Sequence, residues 1–96
     1  MERELIIMDK VIPEVGMGAT EIMYTDRHPY TIIEVSENKK TIKVQRDFPN
    51  LLPNKDGEII EVTLRKSGAW IAKGQAIKGG RKFDIGYRKE YIDPSF

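Results

Sequence analysis

Cysteine is absent from the 96 residues, which removes a disulfide framework, a thiolate zinc site and a cysteine nucleophile together. Histidine occurs once, as His28, so the usual two- or three-histidine metal site cannot be assembled. A Ser-His-acid arrangement would have to use that same residue, which stands in YTDRHP with no nucleophile elbow around it. The acids are scattered rather than set at ligand spacing, and no Walker-type phosphate loop occurs. Gly16-Met17-Gly18 has no helical pattern after it and reads as a tight turn, not a dinucleotide fingerprint. Long apolar runs are missing as well. The run Leu5 to Met8 inside MERELIIMDK is too short for a membrane span or a signal-peptide core. The expectation is a cytoplasmic protein with no catalytic centre, metal, cofactor or membrane association.

Helical periodicity is the next thing lacking, because Gly, Pro and Asn interrupt the chain every few residues between Pro13 and Gly86. What fills the intervals is β-branched and alternating. Ala19 to Tyr24 reads as a first strand and Tyr30 to Val35 as a second, with TDRHP as the loop between them. In the second, alternation puts Thr31, Ile33 and Val35 on one face and Tyr30 and Ile32 on the other. Asn38 turns the chain into Thr41 to Arg46, where Ile42 and Val44 alternate with Lys43 and Gln45. Two prolines and a closing Asp-Gly make residues 47–57 an exposed loop. Glu58 to Lys66 resumes the alternation, Ser67-Gly68 turns it into Trp70 to Ala72, and Lys82 to Ile85 follows the Gly79-Gly80 bend. Tyr87 to Tyr91 reads as one helical turn before Pro94.

The sum is one mainly β domain over residues 1–96, a small antiparallel sheet or SH3-like half barrel of five to six short strands with a short C-terminal helical turn. A half-open sheet leaves strand edges, which a homo-oligomer would cover.

Charge of one sign is also in short supply overall, with 16 Lys and Arg against 15 Asp and Glu. The distribution is uneven. Residues 64–96 hold eight bases and three acids, whereas residues 1–63 hold eight bases and twelve acids. A basic segment on a near-neutral chain fits a local anion site better than a long nucleic-acid track, and a merely solvated lysine-rich surface fits too. The groups that suit a phosphorylated ligand are Arg27, Arg65, Lys66, Arg81, Lys82, Arg88 and Lys89, interspersed with Tyr24, Trp70, Tyr87, Tyr91 and Phe96. Arginine forks pair with phosphate and aromatic faces stack on bases. Trp70 in a strand is equally a core residue.

Three stretches, GMGATEIMYTDRHPYTIIEVSENKKTIKVQRD, EVTLRKSGAW and GYRKEYIDPSF, occur in this order. Together they resemble the bacteriophage anti-defence proteins that counter the Thoeris immune system. The most specific parts are YTDRHP, LRKSG and the terminal Asp93-Pro94-Ser95-Phe96. The resemblance implies a non-enzymatic sponge that sequesters glycocyclic ADP-ribose in the cytoplasm of the infected bacterium. It also implies dimers that assemble into hexamers, a pocket built from both subunits, and a second site for CBASS cyclic oligonucleotides in some relatives. On those motifs Arg27, Arg65 and Arg88 are the expected pyrophosphate contacts, Asp93 a ribose contact or a partner for Arg88, and Trp70 and Phe96 the stacking platforms. The loop after Arg46-Asp47 is shorter here than in that family, so contacts from it are not carried over. On the strand pattern and basic C-terminal third alone, an SH3-like module for a protein or nucleic-acid partner is the alternative.

Overall fold

The structure is a computed structural model that describes residues 11–91. The apolar run Leu5 to Met8 and the expected ligand residues Asp93 and Phe96 therefore lie outside the described residues.

Six strands make up the fold: β1 (Gly18–Ile22), β2 (Arg27–Val35), β3 (Thr41–Arg46), β4 (Ile59–Leu64), β5 (Trp70–Ala72) and β6 (Lys82–Ile85). Each is antiparallel to its sequence neighbour, and β1 also pairs with β6, Ala19 opposite Ile85 and Ile22 opposite Lys82. The sheet is thus a closed barrel in sequence order. The expectation of a half barrel holds for strand count and character, but the structure is closed. Closure leaves little free edge, chiefly where β5 stops short of Asp84 and Ile85, which weakens the edge-covering argument for oligomers.

Alternation supplies the core. Tyr30 and Ile32, Ile42 and Val44, Ile60 and Val62, and Phe83 and Ile85 are buried on the inner face, each such side chain contributing roughly 1.5–3 kcal/mol on leaving water. Tyr30 and Phe83 meet edge to face, centroids 5.1 Å apart. One irregularity sits in β2, where the register slips between Ile32 and Glu34. Ile33 is the extra residue of this bulge and is exposed, while Val35 packs against the core. Strict alternation, which groups Val35 with Ile33, fails for this reason. Bulges bend a strand and increase its twist, which is what a six-stranded barrel needs in order to close.

Beyond β6 the chain forms an extended strap, not the expected helical turn at Tyr87 to Tyr91. Gly86 N–H donates to Gly18 O at 2.8 Å, and Thr20 Oγ1 donates to Tyr87 O at 2.8 Å. Arg27 and Tyr91 exchange both backbone bonds, at 2.7 and 2.9 Å. A lone helical turn closes few bonds of its own, so a ready set of barrel partners outcompetes it. The strap lies so close to β1 that a Cβ on Gly18 would come within 2.6 Å of Arg88 Cγ and 3.0 Å of the Tyr87 carbonyl carbon.

Candidate functional site

The two ends of the barrel differ. Beside the β2–β3 and β4–β5 turns lies a groove of about 910 Å³. Leu64, Trp70, Phe83 and Ile85, together with Val11 to Pro13, form its apolar part, Lys39 and Lys40 come from one turn, and Ser67-Gly68 come from the other. Lys82, Asp84 and Tyr87 line it from β6 and the start of the strap. β5 begins only at Trp70, whose partner on β6 is Phe83, so no β5 residue pairs with Asp84 or Ile85. The groove has formed where this seam of the ladder runs out. Tyr87 Oη donates to Asp84 Oδ2 at 3.1 Å, and burial followed by that carboxylate raises the phenol above its ordinary pKa.

The opposite end carries a chain of polar contacts. Arg81 grips Glu21 with two nitrogens, Nε to Oε2 at 2.9 Å and Nη2 to Oε1 at 3.1 Å, and reaches Glu58 Oε2 with Nη1 at 3.1 Å. Tyr30 Oη donates to Glu21 Oε1 at 2.8 Å. Glu21 is 3% exposed. Burial works to raise its pKa, and the hydrogen bonds from Arg81 and Tyr30 more than reverse that, leaving it below the usual carboxylate value. Burial and the Glu21 carboxylate push Tyr30 well above the usual phenol range. The Arg46 guanidinium stands 5.9 Å from the Tyr30 ring centroid, and its Nη2 lies 2.9 Å from His28 Nδ1. Glu90 Oε1 lies 3.7 Å from the same ring nitrogen.

The three expected arginines are not gathered at one place. Arg27 belongs to β2 rather than to a loop, and its Nη1 donates to the carbonyls of Met23 at 3.0 Å and Asp26 at 2.9 Å. Arg65 Nε donates to Thr63 Oγ1 at 2.9 Å and its Nη2 to Ala72 O at 3.1 Å, which ties β4 to β5. Arg88 Nε pairs with Asp47 Oδ2 at 2.9 Å and its Nη2 bonds Thr31 Oγ1 at 3.0 Å, which fastens the strap to β2 and to the end of β3. Arg27 and Arg88 share the strap side of the barrel, and Arg65 has its partners on β4 and β5. Trp70 is 7% exposed, at once a core residue and part of the groove lining.

No family model, curated protein or solved structure matches the chain. The site is therefore read from its chemistry alone. All five arginines among the described residues hold acceptors or rings of the protein itself, and Arg81 is the most fully engaged. Lys39, Lys40 and Lys82 have no side-chain hydrogen bond or ion pair among the described residues, and all three line the groove. The sequence singles out Arg27, Arg65 and Arg88 through the motifs of the family resemblance, and Lys82 stands only among the wider set of cations suited to phosphate. It does not show that buried Glu21 and Asp47 claim Arg81 and Arg88 first. Lys39 and Lys40 stand in an ordinary-looking polar turn, with no sequence signal that sets them apart. Among the described residues no cluster of three or more His, Asp or Glu side chains could hold a metal ion.

Proposed function

We propose that this chain is a non-enzymatic sponge that captures a cyclic nucleotide signal, glycocyclic ADP-ribose, and so blocks Thoeris defence from within the infected bacterial cytoplasm. The observation that carries this reading is the groove, where lysines without internal partners border an apolar floor that includes Trp70. Lysine ammonium groups suit a pyrophosphate, and an apolar and aromatic wall suits a base. Leu64, Ser67 and Gly68 of LRKSG, one of the motifs behind the family resemblance, line this groove.

Magnitudes argue for a second subunit. Competing with a sensor needs roughly nanomolar affinity, about −12 kcal/mol. Three charge-assisted contacts at about 1.5–3 kcal/mol each and one stacked base at about 1–3 kcal/mol give a gross sum on the order of 6–12 kcal/mol, before ligand ordering is subtracted. An open groove on one barrel falls short, so a homodimer encloses the ligand, and higher assembly to a hexamer and capture of cyclic oligonucleotides extend the same proposal. Phe48, Leu51, Leu52 and Ile59, exposed around the loop after β3, favour the second reading, an SH3-like module that docks a protein.

Calorimetric titration with glycocyclic ADP-ribose, then heating and chromatography of the released ligand, tests this. Tight binding with intact release is expected. Recovery of a cleaved product would make the protein an enzyme, and absence of binding would leave the docking module.

A further inference from the structure

His28 stands in β2 opposite Glu21 of β1, and its ring faces charged groups from three directions. Arg46 approaches from β3 and Glu90 from the strap, and Glu21 is the cross-strand neighbour on β1. Farther out, Arg81 is held by Glu21, and Arg27, next in sequence, is turned to the Met23 and Asp26 carbonyls. Guanidinium has no acceptor capacity, so the 2.9 Å contact between Arg46 Nη2 and His28 Nδ1 requires an unprotonated Nδ1. The imidazole is then neutral, with its hydrogen on Nε2.

That arrangement leaves Glu90 Oε1 buried without a hydrogen-bond partner among the described residues, 3.7 Å from the same Nδ1. A buried, unpaired carboxylate oxygen is costly and calls for an explanation. The atom is shut off from solvent, so no ligand can reach it, but a proton on its neighbour can.

We infer that His28 is a proton-operated latch for the C-terminal strap. Protonation puts the hydrogen on Nδ1, which ends the bond from Arg46 and sets two cations face to face. The new N–H donates to Glu90 Oε1, and Arg46 keeps its place over the Tyr30 ring. The strap segment bearing Glu90 is thereby drawn onto β2, where the Arg27–Tyr91 bridge already holds it. Acid tightens the strap and alkali loosens it. Arg88 lies on the same strap, so the latch also controls how firmly that arginine is presented.

Nitrogen-15 NMR of the His28 ring across pH, with hydrogen exchange at the Arg27 and Tyr91 amides corrected for intrinsic rates, reads the latch directly. Above the titration the ring shows hydrogen on Nε2 only. As pH falls through it, protection of both amides rises several-fold. In Glu90→Ala, which removes the acceptor, the rise in protection disappears, whereas in the isosteric Glu90→Gln, whose amide oxygen can still accept the N–H, the rise is reduced. Hydrogen on Nδ1 at neutral pH would overturn the latch, as would equal protection at high and low pH or an unchanged rise in Glu90→Ala. None of these readouts depends on the ligand proposed above.

Discussion

At the residue scale, the charges that matter most are the ones already committed. Glu21 is buried and held by Arg81, and removing one partner of such a pair leaves the other uncompensated. Arg81→Met should cost about 3 kcal/mol, the low end for a buried pair because Arg81 itself is partly exposed. Urea unfolding measures it. The lowered Glu21 pKa sets the sign with pH. Its contribution is complete above the unfolded value near 4.5 and is lost as pH falls through the lower folded value. Stability of the wild type should therefore drop more steeply below pH 4.5 than that of Glu21→Gln, in melts taken across that range. Lys39 illustrates the opposite case. Its φ is 63°, a left-handed conformation that glycine adopts without penalty. Its turn is shaped by Ser36 and Asn38 instead, through Asn38 Oδ1 to Lys40 N–H at 3.0 Å and Ser36 Oγ to Thr41 N–H at 3.1 Å. Lys39→Gly should stabilise the fold by about 1 kcal/mol while weakening glycocyclic ADP-ribose binding, with melting and calorimetry on the same variant.

At the element scale, the bulge in β2 decides which side chains count. Val35 packs on the core and Ile33 is exposed, so Val35→Ala should cost about 1 kcal/mol or more and Ile33→Ala less than about 0.5 kcal/mol. Equal costs, or the reverse order, in denaturant unfolding would contradict the register. The loop between β3 and β4 is anchored just as specifically. Gly57 approaches the Arg46 carbonyl so closely that an added Cβ would collide with the Arg46 oxygen, and backbone cannot move aside as a side-chain tip can. Much of this level was legible in the sequence. β3, β5 and β6 fall where alternation put them, and β4 within two residues, because period two and turn residues are local signals. The start of β2 was not legible. Pro29 looked like a loop residue, yet it pairs with Thr20 and is fully buried, its carbonyl accepting Asp47 N–H at 2.9 Å.

At the scale of the whole molecule, one tie joins the strap to the barrel through a charge with no access to water. The Asp47 side chain is fully buried and is satisfied by Arg88 and by Thr31 Oγ1 at 2.6 Å. Arg88→Met should cost about 3 kcal/mol with no ligand present, seen as a lower urea midpoint. A variant with unchanged midpoint but lost ligand binding would instead put Arg88 in the ligand site and not in the fold. A groove edged by lysines makes a further demand on the whole molecule. Binding there should weaken as ionic strength rises past the range where exposed charges are screened, about 0.1–0.15 M salt, in titrations at several salt concentrations.

The sequence by itself determined most of the strands, their order, most of the turns between them and the absence of any thiol, since each of these follows from local composition and spacing. Tertiary structure decided the rest. Whether β1 meets β6 depends on accumulated twist and on a bulge with no local signature, and whether residues 87–91 coil or extend depends on partners offered by β1 and β2. The same holds for the candidate site. Arginine and lysine look alike in a list of cations, and only the folded chain shows that buried carboxylates and backbone carbonyls take up arginines while lysines are left beside the groove. Long-range pairing assigns each charge its partner, and that pairing is written in no single stretch of the chain.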